Sequence, residues 1–321
     1  GAVQQGRTSE MQDFVDAMRE SLCALGMTEE LSFSFTSEKT LDKLGVPPDS
    51  PLRQAIPIMN PLTDEYPLIR TSLLTSVLEN AARNVARKNT DLRLFDIAPV
   101  FFPKALPVTE LVHEKLKIAG LITGRRSPIA WDTSNDLVDF YDMKGIVERF
   151  LTAIGVQKYT VERGEHFALH PGKTAFFKKG REVIAVVGEV HPTIAANFGI
   201  AQNVYIFEMD AETLLRYRRK KTVIAALPKY PASTRDLAIL VDADLTTLEI
   251  DRVIAKNGGK FFRSATLFDI YMGKQIAEGK KSMAFHLYFQ SDDKTLTDEE
   301  VDAAFSDILR AAEEQLHAQL R

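Results

Sequence analysis

The sequence predicts an α+β protein in two parts: a mixed, largely antiparallel sheet with flanking helices, followed by a smaller α+β sandwich. Three observations lead there. Apolar stripes at helical spacing alternate with short runs of buried-strand character. A basic run, Arg216-Tyr217-Arg218-Arg219-Lys220-Lys221, and then Pro228 and Pro231 break regular structure and set a boundary between residues 1–225 and 226–321. Beyond it the patterns follow one another as strand, helix, strand, strand, helix. A length of 321 residues allows each part its own core.

The chain opens with a helix. Ser9-x-x-Gln12 fits a capping box, and Met11, Phe14, Val15, Met18, Leu22 and Leu25 form the buried stripe. Cys23 lies beside that stripe and is counted with the core, and Gly26 sits where the helix should stop. Leu31, Phe33 and Phe35 alternate with polar residues and predict a strand. Asp49-Ser50-Pro51 punctuates a loop.

Residues 58–103 organise the first part. Thr71 or Ser72 is placed to cap a helix whose apolar face is Leu74, Val77, Leu78, Ala81 and Val85. Asn80, Arg83, Asn84 and Arg87 recur on the opposite face. Residues 94–102 then predict a strand, and 118–122, 183–187 and 204–208 predict further buried strands. Another helix follows Asp142, carrying Ile146, Val147, Phe150, Leu151 and Ile154 and ending at Gly155.

In the second part, residues 237–241 predict a strand and 247–257 a helix with Ile250, Val253 and Ile254 inward, stopped by Gly258-Gly259. Strands over 261–271 and 282–289 join through Gly273 and Gly279. The last helix is the best specified. Thr297-x-x-Glu300 is a capping box, and Leu296 and Val301 make a hydrophobic staple. Its stripe is Val301, Ala304, Phe305, Ile308, Ala312 and Leu316. With a short final strand, this order is the split βαβ, ferredoxin-like sandwich.

Composition is that of an ordinary globular protein, 45% hydrophobic and 26% charged, which argues against disorder. No apolar run reaches the ~18–20 residues of a membrane span, so no membrane association is expected. The start is neither basic nor followed by an apolar core, so no signal peptide is expected. A lone Cys23 excludes an internal disulfide or a multi-cysteine zinc site, and a cytoplasmic setting is expected. Net charge is −4, with 12 Lys and Arg against 16 Asp and Glu from Ala226 onward, so charge alone does not advertise nucleic-acid binding.

Possible chemical motifs are weak. His166-x-x-x-His170 would place two imidazoles on one helix face, but Pro171-Gly172 follows and no third ligand has suitable spacing, so no metal is expected. Glu189-x-His191, ahead of Pro192, predicts a turn. Gly172-Lys173 lacks the rest of a phosphate-binding loop. Phe285 and Phe289 read as sandwich core.

Several blocks carry a family resemblance. Asn60-Pro61-Leu62, Leu68-Ile69-Arg70-Thr71-Ser72-Leu73-Leu74 and Leu94-Phe95-Asp96-Ile97 resemble the beta subunit of bacterial phenylalanine–tRNA ligase. They match its catalytic-like module, a relative of the class II aminoacyl-tRNA synthetase core. Tyr141-Asp142-Met143-Lys144-Gly145, His170-Pro171-Gly172-Lys173 and Gly188-Glu189-Val190-His191-Pro192 resemble further blocks of that module. Tyr230-Pro231, Arg235-Asp236, Phe268-Asp269-x-Tyr271-x-Gly273, Gly279-Lys280-Lys281-Ser282 and Arg321 resemble its ferredoxin-fold anticodon-binding domain. The resemblance runs from Met11 to Arg321.

It implies a class II-like sheet before the ferredoxin-like sandwich, and a non-catalytic role. The holoenzyme, two alpha and two beta subunits, would join phenylalanine to tRNA(Phe) using ATP and Mg²⁺. In the active family pattern, the strand matching residues 94–100 leads into an arginine for the α-phosphate. Here Phe101-Phe102-Pro103 follows Val100, and these side chains cannot neutralise a phosphate. No catalytic residue and no cofactor is therefore expected in this chain; the alpha subunit would carry the adenylation site. The family's upstream editing domains are not in this sequence, which reads as a C-terminal portion.

The resemblance places contact with the alpha subunit on Leu74, Asn80, Arg83, Asn84 and Arg87; Arg83 and Arg87 are alternatively the solvated face of an amphipathic helix. Candidates for tRNA are Lys229, Tyr230, Arg235, Tyr271, Lys274, Lys280 and Lys281, because unstacked anticodon bases are met by aromatic rings and flanking phosphates by Lys or Arg. Arg235-Asp236 is alternatively an internal ion pair. A rival reading is a stand-alone small-ligand or regulatory module with no RNA role.

Overall fold

A computed structural model describes residues 6–219, 226–273 and 275–320. The chain divides into two compact units on either side of residue 222.

In the first unit, α1 (Glu10–Ala24) starts at the expected Ser9–Gln12 capping box and buries Phe14, Met18 and Leu22. Cys23 is exposed, contrary to expectation. One residue beyond Leu22 is ~100° further round the helix, which turns it away from the stripe. The chain then forms β1 (Thr28–Glu29), β2 (Phe35–Thr36), α2 (Glu38–Lys43), β3 (Ile56–Pro57) and β4 (Leu68–Ile69). β2 and β3 pair with opposite edges of β4 in a small three-stranded sheet. The strand expected through Leu31 and Phe33 is confined to β2, and those two side chains are 93% and 83% exposed. Alternation needs a second layer to become burial, and nothing in this unit covers them.

Next come α3 (Leu74–Ala86), β5 (Leu92–Phe102), β6 (His113–Thr123), α4 (Phe140–Ala153), β7 (Thr160–Arg163), β8 (Leu169–Lys179) and β9 (Glu182–Val190). The unit ends with α5 (Pro192–Asn197), β10 (Val204–Asp210) and α6 (Ala211–Tyr217). Helix α4 begins earlier than expected. Asp139 is its N-cap, and Asp142 reaches back as the other half of a capping box. His170 stands on β8, so the helical histidine pair does not form.

Seven strands lie in the order β1-β5-β6-β10-β9-β8-β7, with β1 parallel to β5 and every other recorded pair antiparallel. One face packs Phe95, Ile118 and Phe207 against Phe14 of α1 and Phe150 of α4. The other packs Leu121 and Ile206 against Leu74, Val77 and Leu78 of α3, with Leu41 and Ile194 alongside. Gly120 on β6 lies in register with Phe95 on one side and Phe207 on the other. A Cβ at Gly120 would fall 2.3 Å from the Phe207 ring, so a missing side chain makes room for the neighbouring phenylalanine.

The second unit comprises β11 (Ser233–Asp242), α7 (Thr247–Asn257), β12 (Phe262–Tyr271), β13 (Lys280–Phe289), α8 (Asp298–Leu316) and β14 (Gln319–Leu320). Its antiparallel sheet has the order β12-β13-β11-β14. β13 sits between the two strands joined through α7, which is the ferredoxin-like arrangement. Leu237, Ile239 and Val241 of β11 and Met283, Phe285, Leu287 and Phe289 of β13 meet Ile250, Ile254, Val301 and Ile308 from the helices. Alternate residues of the same strands therefore lie on the face without helices.

Replacing Gly120 with Ala should lower the stability of the first unit by ~1–3 kcal/mol, because its neighbours are already packed. Urea unfolding followed by circular dichroism reads this, and Phe207→Leu in the same chain should recover part of the loss.

Candidate functional site

In the first unit the entry to α3 is built on a buried arginine. Arg70 is 1% exposed. Its Nε donates to the Pro99 carbonyl at 2.9 Å, and Nη1 donates to Ser32 Oγ at 2.6 Å and to the Phe33 carbonyl at 3.2 Å. Asp96 Oδ2 lies 3.7 Å from Nη1 and accepts from Ser32 Oγ. Burial lowers the Arg70 pKa and raises that of Asp96. One guanidinium thus ties the segment before β2, the strand β5 and the start of α3.

The expected helix cap is only partly present. Ser72 Oγ accepts from the Leu74 N–H at 3.1 Å, but Leu73 holds the cap position without a side-chain bond. On the polar face, Asn80 Nδ2 donates to Glu30 Oε2, and Asn84 Nδ2 donates to the Asn80 carbonyl at 3.0 Å. Glu30 Oε1 is buried with no hydrogen-bond partner among the described residues. Burial pushes the Glu30 carboxyl up to about 7. Arg83 and Arg87 are exposed, and no ion pair is recorded for them among the described residues. A cleft of about 380 Å³ beside β5 is lined by Thr28, Asp91, Arg93, Arg125 and Arg126. Two of its arginines are already paired, Arg125 with Asp91 at 3.6 Å and Arg126 with Asp142 at 3.0 Å.

In the second unit, the helix-free face carries Asp236, Ala238, Leu240 and Asp242 from β11 and Lys280, Ser282, Ala284, His286 and Tyr288 from β13. β12 adds Thr266, Asp269 and Tyr271, opposite His286, Ala284 and Ser282. The register slips between Leu267 and Asp269, which leaves Phe268 as the extra residue of a bulge. Phe268, Tyr271 and Tyr288 are all exposed. Such a face, aromatic and backed by helices, can stack planar rings.

The family described as "Phenylalanyl tRNA synthetase beta chain CLM domain" matches residues 1–211, and "Ferredoxin-fold anticodon binding domain" matches residues 228–321. The chain belongs to the phenylalanine–tRNA ligase beta-subunit family. The beta subunit of Syntrophotalea carbinolica is 40% identical over 96% of this chain and 38% of that protein. That of Clostridium acetobutylicum is 36% identical over 98% of this chain and 38% of that protein. The chain thus spans about 38% of the length of these relatives. Among solved structures, pyrrolysyl-tRNA synthetase from Desulfitobacterium hafniense is similar at a TM-score of 0.49 and 14% identity, over 64% of this chain and 68% of that chain. That likeness is too loose to bear on function.

Within this beta-subunit framework the candidate residues fall in different places. Leu74 is 2% exposed and packed into its own core, which corrects its assignment to an interface. Asn80 and Asn84 are spent on contacts within the chain, while Arg83 and Arg87 point to solvent. Of the seven tRNA candidates, Tyr271 and Lys280 stand on the helix-free face, Lys280 paired with Asp242 at 2.7 Å. Arg235 and Lys281 have the opposite parity. Arg235 pairs with Asp302 at 2.8 Å and Asp298 at 3.0 Å on α8, and Lys281 Nζ donates to the Leu245 carbonyl at 2.5 Å. The alternative Arg235–Asp236 pair does not form, because successive strand residues face opposite ways. Lys229 is exposed and Tyr230 half-buried ahead of β11. Lys274 lies outside the described residues, as does Arg321. Phe268, His286 and Tyr288 also stand on the helix-free face and were not among the sequence candidates. The signal was available: with Phe285 and Phe289 assigned to the core, period two sends His286 and Tyr288 outward.

Among the described residues no three His, Cys, Asp or Glu side chains gather as metal ligands. His166 Nδ1 accepts from the Ala168 N–H at 3.2 Å, and burial lowers its pKa to about 4. Glu189 is buried and paired with Lys173 at 2.5 Å.

Glu30 holds its proton up to about pH 7 in the folded chain, against 4.5 for the free group. Between those values the unfolded state binds fewer protons, so stability falls as pH rises through this window. Glu30→Gln should remove that slope. Denaturation midpoints of the two chains should then agree near pH 4.5 and part toward pH 8, the variant more stable by ~1–3 kcal/mol.

Proposed function

We propose that this chain serves phenylalanine–tRNA ligase as a non-catalytic beta-subunit portion that packs against the alpha subunit and recognises the anticodon of tRNA(Phe). The observation that carries the reading is the helix-free aromatic face of a unit matching the anticodon-binding family. Single-stranded bases are bound by stacking on aromatic rings, with little demand on net charge. An acidic unit can therefore bind RNA through a few local contacts, with a modest salt dependence.

The chemistry of the holoenzyme would be ATP-dependent formation of phenylalanyl adenylate, assisted by Mg²⁺, on the alpha subunit. In this chain the strand that would offer a phosphate-binding arginine ends in Phe101 and Phe102. Lys115 Nζ sits 5.7 Å from the centre of the Phe102 ring. Arg70, a buried cation nearby, is held by bonds to Pro99, Ser32 and Phe33. The domain limits 1–225 and 226–321, the two-plus-two subunit assembly and a cytoplasmic setting remain part of this reading.

For the alpha subunit, the surface that fits best is broader than α3. Glu30 bonds to Asn80 and the Phe33 carbonyl to Arg70, so the exposed Leu31 and Phe33 run along that helix. Arg83 and Arg87 extend the patch with charge. Apolar side chains this exposed, rimmed by arginines, suit a stable subunit contact.

Tyr271→Ala and Tyr288→Ala should each raise the KM for tRNA(Phe) by roughly 5- to 100-fold, from the loss of one stacking contact. Phenylalanine-dependent ATP–pyrophosphate exchange by the reconstituted holoenzyme should not change. A fall in exchange would remove the assignment of roles. Separately, a Leu31→Asp, Phe33→Asp chain should fail to co-purify with the alpha subunit while keeping its circular dichroism spectrum. Retention of the complex would move the interface elsewhere.

A further inference from the structure

One side chain on the helix-free face is held more firmly than its exposure requires. His286 lies directly across from Asp236, and its Nδ1 is 2.5 Å from Asp236 Oδ1. Phe268 stacks on the imidazole with ring centres 4.0 Å apart and planes 14° from parallel. The side chain is nevertheless 40% exposed. Among the described residues, no hydrogen bond is recorded to Nε2.

These contacts fix three things at once. A carboxylate only accepts, so the hydrogen between the two groups sits on Nδ1. In its neutral form the imidazole then presents Nε2 as a bare acceptor. Stacking on Phe268 sets the ring plane, and the cross-strand partner sets the rotamer. A hydrogen bond this exposed adds little to stability. What it secures is the direction and hydrogen-bonding character of Nε2.

The bulge belongs to the same device. With unbroken alternation in β12, Thr266 would face out and Leu267 in, and the next residue would simply follow. The extra residue lets Phe268 stack on His286 while Asp269, which unbroken alternation would turn inward, lies in register opposite Ala284.

We propose that His286 is a specificity-determining residue of the RNA-binding face. Its Nε2 would accept a hydrogen bond from the exocyclic amine of one unstacked loop base. Asp236 and Phe268 are positioning residues: Asp236 fixes the tautomer and Phe268 the plane. The inference rests on the anticodon-binding reading of this unit and deepens it. The ligand class is a single-stranded RNA base bearing an amine, not a phosphate and not a carbonyl-only edge. A bare acceptor is repelled by a base that offers only oxygen, and this is the kind of mismatch that polar sites reject most strongly.

The test uses the full chain and short stem-loop RNAs carrying the phenylalanine anticodon loop, with affinity read by fluorescence anisotropy. Each unpaired guanosine and adenosine in turn is replaced by its analogue lacking the exocyclic amine: inosine for guanosine, purine riboside for adenosine. The parent chain should lose about 2- to 10-fold at one position, the worth of one hydrogen bond. His286→Phe keeps an aromatic ring against Phe268 but has no acceptor. It should bind the natural loop as weakly as the parent binds the analogue, and should be indifferent to the replacement at that position alone. Asp236→Asn should erase the same discrimination, and combining it with His286→Phe should add nothing further. Unfolding midpoints of both variants establish that they are folded. Full amine discrimination by a folded His286→Phe chain at every position overturns the inference. If Tyr271→Ala and Tyr288→Ala leave loop binding unchanged, or the parent binds no loop RNA, the anticodon-binding reading itself falls.

Discussion

The first unit depends on a charge placed where charge is costly. Arg70 is enclosed by protein, and its guanidinium keeps its favourable state only because carbonyl, hydroxyl and carboxylate oxygens surround it. Breaking such a set by removing one partner typically costs ~3–5 kcal/mol, since the remaining charge is stranded. The same bonds position the backbone. They hold the segment carrying Leu31 and Phe33 against the start of α3, and both against β5. The exposed patch of Leu31 and Phe33 is therefore anchored from beneath by a buried interaction.

Much of the fold was legible in the sequence, for identifiable reasons. Ser9, Thr297 and their partners three residues on announced two helix starts, because a capping box is a local contract between side chain and backbone. The α7 boundaries followed from Ile250, Ile254 and the glycine pair. β11, β12 and β13 followed from period two. Cys23 and the pair Leu31 and Phe33 were misread for opposite reasons. Cys23 is small enough to be taken for core yet sits one step off the stripe. The other two are large and apolar, but burial belongs to the layer that covers a residue, and sequence does not record whether that layer is present.

The site was harder to read. Lys281 and Arg235 look like any other phosphate-binding cations, and what disqualifies them is distant in the chain. Arg235 meets Asp298 and Asp302 across the sandwich, and Lys281 meets a carbonyl in the loop before α7. Face assignment was nevertheless within reach of the pattern. Once Met283, Phe285, Leu287 and Phe289 are inward, Lys281 shares their parity and His286 does not. Arg70 illustrates the reverse case. Its bonds to Pro99, Ser32 and Phe33 are all structural, and its place in a resemblance block does not announce them.

The bulge at Phe268 has a consequence apart from recognition. β12 is the outer strand of its sheet, with a row of backbone donors and acceptors turned toward solvent. A straight outer strand of this length would be a template for another chain's strand. Register slips at Phe262/Ser264 and Leu267/Asp269 interrupt that row twice within ten residues. No long stretch is left in the regular spacing that an incoming strand needs. An unhelixed sheet face can thus stay open to solvent without its rim offering a regular template for intermolecular β-structure.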